Sequence, residues 1–302
     1  MPTPAASPTS ARDRAFAQVD VFASDPYLGN PVAVVLDADG MTDEAMASFA
    51  RWTNLSETTF VLPPTSPDAD YRLRIFTPSE ELPFAGHPTL GSAHAWLEAG
   101  GVPRSGRADG SGSGSGSGLG VVVQECAAGL VTLRRTDGRL AFGAPPTIRS
   151  GAVDEADLAR VAAALGVSRA DIVSHQWIVN GPEWMGIELA SADAVLAVEP
   201  DFSGVLDLAI GVFGAYPEGS RHAFEVRGFV PNVGVGEDPV TGSLNAALAQ
   251  WLQREGRAPL SYTNGQGTRL QRDGVVSIDV DAAGDVWVGG ATTTMIRGSV
   301  LL

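Results

Sequence analysis

Apolar and β-branched residues alternate or run together in short stretches along most of this chain, and only a few stretches repeat at helical spacing. Ala17–Phe22 and Pro31–Leu36 predict two strands joined by a loop that ends in Gly29-Asn30-Pro31. Thr42, with acidic residues behind it, predicts the N-cap of a helix that runs to about Thr53. Strands are expected at Glu57–Leu62 and Tyr71–Phe76, then a helix opened by His87–Ser92 and running to Gly100. The Ser-Gly alternation within Ser105–Gly118 predicts a flexible linker. After it the pattern predicts strands at Gly120–Glu125, Leu130–Arg134 and Arg139–Phe142, and an amphipathic helix at Val153–Leu165. Strands recur at Gln176–Val179, Met185–Leu189 and Ala209–Ala215, with a short helix at Ala192–Val198 and its sequel at Asp201–Leu206. The tail predicts strands at Val275–Val280, Val286–Gly289 and Thr292–Val300. More strand than helix, without regular βαβ alternation, makes the fold class α+β.

One phrase occurs twice: His87-Pro88-Thr89-Leu90-Gly91-Ser92 and Asp238-Pro239-Val240-Thr241-Gly242-Ser243. Each follows an Arg-x-Phe-x-Pro strand end, Arg74–Pro78 or Arg227–Pro231, and each leads into an alanine-rich run that reads as a helix. Proline early and a Gly-Ser pair at the entry suit a helix whose first backbone N–H groups are left free to meet an anion. The repeat favours two similar halves. The expected division is 13–104 plus about 290–302, a linker at 105–118, and 119–289, with the active site in the cleft between the halves.

Composition narrows the function. The 302 residues can form two domains of ordinary size, and 44% hydrophobic with 18% charged residues is usual for a folded chain. A formal charge of -15, without a basic cluster, argues against a nucleic-acid or anionic-membrane partner. Cys126 is the single cysteine, which excludes an intramolecular disulfide and a multi-cysteine zinc site. Met1–Arg14 lacks the apolar core of a signal peptide, and no apolar run approaches the ~20 residues of a membrane span, so a cytoplasmic location is expected.

Glu57 enters a strand flanked by hydroxyls, a place usually held by a solvated surface group. His87 sits in a turn at the head of the first phrase, and Asp238 heads the second, where an ordinary N-cap role is compatible with catalysis. Ser243 and Ser92 follow the loop glycines and are candidate anion ligands, although a serine there often bonds its own backbone. His94, His175 and His222 lack such context and are read as structural or surface groups, and Cys126 as a bystander. Histidine spacing predicts no metal site.

Gly29-Asn30-Pro31-x-Ala33-Val34, Asn54-x-Ser56-Glu57-Thr58-Thr59-Phe60, Phe76-Thr77-Pro78, Glu81-Leu82-Pro83-Phe84-Ala85-Gly86-His87-Pro88-Thr89 and Gly236-Glu237-Asp238-Pro239-x-Thr241-Gly242-Ser243 together resemble the PhzF-like phenazine-biosynthesis isomerases. The resemblance covers nearly the whole chain. It implies a diaminopimelate-epimerase-like fold of two pseudo-symmetric domains, each a curved sheet wrapped around a central helix beginning near Gly91 or Gly242. It also implies cofactor-independent isomerisation of the trans-2,3-dihydro-3-hydroxyanthranilate type, with Glu57, His87 and Asp238 catalytic. Ser243, Gly86, Gly242 and Ser92 would bind substrate. Gly86 and Asp238 stand where epimerases of the wider superfamily place a cysteine pair, which disfavours a two-thiol racemase. The expected partner is a small carboxylic acid, and a homodimer is expected. A pyrroline or cyclic imine carboxylate, an amino-acid epimerase and a small-acid binding protein are the alternatives. Tyr27, Trp184, Tyr216 and Phe229 are candidate pocket-lining aromatics.

Overall fold

The computed structural model describes residues 11–104, 120–136, 139–233 and 235–302. The Ser105–Gly118 segment lies outside them. Among the described residues the first part of the chain forms β1 (Asp13–Val21), β2 (Asn30–Val35), α1 (Asp43–Thr53), β3 (Glu57–Leu62), β4 (Tyr71–Phe76), β5 (Glu81–Leu82) and α2 (Gly86–Glu98). Next come β6 (Gly120–Cys126), β7 (Gly129–Thr136), β8 (Arg139–Gly143), β9 (Arg149–Gly151), α3 (Glu155–Leu165), β10 (Ile172–Val179), β11 (Trp184–Leu189), α4 (Ala192–Leu196) and β12 (Ala209–Ala215). The remainder holds β13 (Phe224–Val230), β14 (Val235–Asp238), α5 (Gly242–Arg254), β15 (Ser261–Gln266), β16 (Gly274–Val280), β17 (Val286–Gly290) and β18 (Thr292–Leu301).

Local chemistry sets the helix ends. The Thr42 hydroxyl accepts the Ala45 N–H at the start of α1, and Asp43 and Glu44 favour its positive end. α1 stops at Asn54, whose φ of 54° is left-handed and whose N–H bonds the Ala50 carbonyl. That reversal, three residues before Glu57, feeds the chain into β3.

Hydrogen bonding links the strands in the order β18-β1-β2-β3-β4-β6-β7-β8 in one half and β9-β10-β11-β12-β13-β15-β16-β17 in the other. Even the parallel pairs recur: β2 with β3 and β4 with β6 in the first half, β11 with β12 and β13 with β15 in the second. The two sheets join through the antiparallel pair β8 and β17. α2 is the central helix of the first half, with Leu90 and Ala93 buried in a core that includes Val19, Val32, Ile75 and Phe142. α5 is its counterpart, where Leu244, Leu248 and Trp251 meet Trp184, Phe213 and Val226. Burial on almost every side explains why both helices lack a polar face.

The heads of α2 and α5 touch. A Cβ on Gly86 would lie 2.8 Å from the Gly242 Cα, and one on Gly242 would lie 3.0 Å from the Gly86 Cα.

The strand pairing corrects the expected division of the chain. β6, β7 and β8 extend the sheet from β4, so they belong to the first half, and the second begins at β9. Linker composition marks a break in local structure, but strand partners are chosen across the sequence. β15 went unrecognised because its sequence, Ser-Tyr-Thr-Asn-Gly-Gln, has no apolar alternation.

Replacing Gly86 or Gly242 with alanine should destabilise the chain by about 1–3 kcal/mol, since the new methyl group meets backbone that cannot swing away. Gly298→Ala, with nothing within 4 Å of its Cβ position, should change stability by no more than about 0.5 kcal/mol. Denaturant unfolding of the three variants measures the difference.

Candidate active site

Glu57, His87 and Asp238 converge where the two halves meet. Glu57 opens β3, and its Oε2 lies 3.3 Å from His87 Nε2. His87 is the second residue of α2 and is 3% exposed. Asp238 ends β14, beside the start of α5. Asn30, the first residue of β2, joins them: its Nδ2 donates to Asp238 Oδ1 at 2.8 Å and to the Val240 carbonyl at 2.9 Å. Those bonds use both amide hydrogens, so the 3.3 Å approach of Nδ2 to His87 Nδ1 is a packing contact. The resemblance motif contains Asn30, but its role as the bridge was not foreseen.

The protonation states follow from burial. Desolvation, followed by the nearby Asp238 charge, holds the Glu57 carboxyl well above the usual carboxylate range. Desolvation lowers His87 to about 3, against a hydrogen bond from the ring to the Pro31 carbonyl. His87 Nε2 and Glu57 Oε2 are both buried without a hydrogen bond. The Pro31 bond therefore uses Nδ1–H, and the Nε2 lone pair faces Glu57. Although the distance alone suits an ion pair, burial works against charge on both groups.

Asp238 differs because it has donors. Burial raises it to about 6, while hydrogen bonds from Thr241 and Asn30 pull the other way. Thr241 Oγ1 donates to Asp238 Oδ2 at 2.6 Å and accepts from Gln266 Nε2 at 2.9 Å. Gln266 Oε1 in turn accepts from the Thr241 N–H and from Asn245 Nδ2. Each amide has one consistent orientation in this buried network, so Thr241 is fixed as a donor to the carboxylate.

Glu57, Asp238, Thr241 and Ser243 line a pocket of about 100 Å³ together with Ser56, Thr77, Trp184 and residues from both halves. Ser243 is the second residue of α5, and its Oγ accepts from Trp184 Nε1 at 3.1 Å. Neither α2 nor α5 has a side-chain N-cap bond, which suits an anion at their paired positive ends. Gly86 and Gly242 serve this arrangement by letting the helix heads meet.

Ser92 is a correction. Relative to the repeated phrase, α2 begins five residues earlier than α5, since Gly91 aligns with Gly242 while the helices start at Gly86 and Gly242. Ser92 is therefore nearly two turns into its helix, fully buried, and its Oγ lies 2.8 Å from Thr59 Oγ1. It fastens α2 to β3 and does not reach the pocket. Of the candidate aromatics only Trp184 lines the pocket. Tyr27 is 68% exposed, Tyr216 donates to Glu225, and Phe229 packs on Phe202 in the core. The Cys126 thiol is buried, and burial pushes its pKa up.

His87 should remain neutral, in the Nδ1–H tautomer, from pH 5 to pH 8, as read from the nitrogen chemical shifts of labelled imidazole. Asp238 gives a stability signature. The folded chain binds its proton near 6 and the unfolded chain near 3.8. The resulting stabilisation is full below about 3.8 and is lost as the pH rises through about 6. Asp238→Asn should remove that loss. Its unfolding free energy relative to wild type should improve by about 2 kcal/mol between pH 4 and pH 7 in denaturant titrations.

A family model described as phenazine biosynthesis-like protein matches residues 19–298. The chain is 37% identical over 308 residues to antisense-enhancing sequence 1 of Schizosaccharomyces pombe, covering 95% of this chain and 98% of that one. It is 35% identical over 243 residues to trans-2,3-dihydro-3-hydroxyanthranilate isomerase of Pseudomonas aeruginosa, covering 80% of each. Among solved structures, a protein described as a predicted epimerase from Pseudomonas aeruginosa matches with a TM-score of 0.76 and 27% identity, over 96% of this chain and 99% of that one. With the fold, the paired helix heads and these relatives in agreement, the chain belongs to the phenazine-biosynthesis-like PhzC–PhzF family and is an isomerase.

Proposed function

We propose that this isomerase moves a proton, and with it a carbon–carbon double bond, on a small unsaturated cyclic amino or hydroxy carboxylic acid. The observation that supports this most is an asymmetry in the repeat. Glu57 opens β3 and pairs with Val32 of β2. At the matching place in the second half, Ala209 opens β12 and pairs with Trp184 of β11. Both line the pocket. One side of the cleft thus offers a carboxyl group and the other a methyl group, which suits removal and return of the proton on one face.

In the proposed cycle the Glu57 carboxylate takes a proton from a saturated carbon next to the double bond. The electron pair moves through the allylic system, and the Glu57 carboxylic acid returns the proton at its far end. No electrons are gained or lost overall. The substrate carboxylate lies at the α2 and α5 N-termini, where the free ends stabilise developing negative charge. Ser243 and Asp238 orient the amine or hydroxyl. A carboxyl group with a raised pKa serves both as base and as acid. Because the base form is required first, kcat/KM should rise along a limb above the ordinary carboxylate range.

A trans-2,3-dihydro-3-hydroxyanthranilate-like ring is the first substrate class, from the Pseudomonas aeruginosa relative, and a pyrroline or cyclic imine carboxylate is the second. Epimerisation is the one further reading with support, because Asp238, near 6, is a second proton carrier. Proton NMR in D2O with both ring types tests all three. Glu57→Gln should lower turnover by about 10³-fold or more while ligand affinity stays within roughly tenfold. Wild-type turnover in that variant overturns the proposal, and inversion at a single deuterated carbon selects epimerisation.

A further inference from the structure

Beyond the reacting groups the cleft widens into an outer chamber of about 250 Å³. It adjoins the inner pocket, with which it shares Leu82, Pro182, Ala209 and Asn232 as lining residues. Trp177, Phe84 and Leu208, none more than 9% exposed, form an apolar wall drawn from both halves. The rim carries Glu80, Glu183 and Asp207. No arginine is among the described residues lining either space, and the chain contains no lysine.

Charge and apolarity together limit what fits. The fixed positive ends in this cleft are the α2 and α5 N-termini, and they serve the inner pocket. A second anionic group would meet three rim carboxylates and no free cation, because the nearby Arg160 and Arg149 are already held by Asp207 and Glu183 and Arg149 also lies over the Trp177 ring. A cationic group gains little, because Asp207 is paired with Arg160, Glu183 lies 3.9 Å from Arg149, and exposed pairs are screened. The apolar wall rewards an uncharged apolar group through burial.

We infer that the outer chamber is a specificity pocket for the end of the substrate remote from the reacting carbons. The substrate is accordingly a monocarboxylic acid with an uncharged, apolar extension. This rests on the reading of the inner pocket as the proton-transfer site.

Titration calorimetry on the full chain tests it with 3-hydroxyanthranilate, a ring-propylated derivative and a ring-carboxyethylated derivative. The propyl compound should bind about tenfold more tightly than the parent, and the carboxyethyl compound more weakly than either. Trp177→Ala should shrink the propyl advantage. Glu183→Arg, a change at an exposed position that spares the core, should narrow the carboxyethyl penalty. Equal affinities, or tightest binding by the carboxyethyl compound, overturn the inference. So does failure of all three to bind. The inner-pocket reading fails separately, if Glu57→Gln leaves deuterium exchange at the wild-type rate.

Discussion

Everything at the centre of this protein depends on two helices meeting head to head without side chains between them. Gly86 and Gly242 allow the N-termini of α2 and α5 to approach until backbone meets backbone. Only at that separation can Asn30, on a strand of the first half, reach Asp238 and Val240 in the second. The same approach puts the positive ends of two helix dipoles beside one pocket. A methyl group at either glycine would therefore disturb packing, the inter-half bridge and the electrostatics of the site together.

The site's chemistry comes from unequal treatment of two buried carboxyl groups. Asp238 receives hydrogen bonds from Asn30 and Thr241 and keeps its charge at neutral pH. Glu57 Oε2 has no hydrogen bond, and burial raises its pKa beside a His87 whose own pKa burial lowers. Separate roles for like groups thus follow from which donors the surrounding strands supply.

How much of this could be read in the sequence depended on how local the signal was. Thr42 announced α1 because a cap acts within four residues. The repeated phrase marked both central helices and brought out His87, Asp238 and Ser243. It misled at Ser92, because identical letters do not fix where a helix starts. β15 stayed hidden because its polar Asn264 and Gln266 bond to Asn245 of α5 and to Thr241 at its N-cap, partners distant in sequence. Asn30 was visible in a motif, yet its function lies in bonds to the opposite half. The Ser-Gly stretch suggested a boundary between halves, whereas β6 returns to β4 and keeps β7 and β8 in the first sheet.

The pairing of β18 with β1 has a consequence for how the chain is made. β1 lies between β2 and β18, and β18 is synthesised after every strand of the second half. While the ribosome is still translating the second half, the first half has one unpaired β1 edge, whose amide and carbonyl groups can template strand addition. Cotranslational folding can build the α2 core early but cannot seal this edge. A ribosomal stall before β18 would leave that edge of the first sheet open to strand addition.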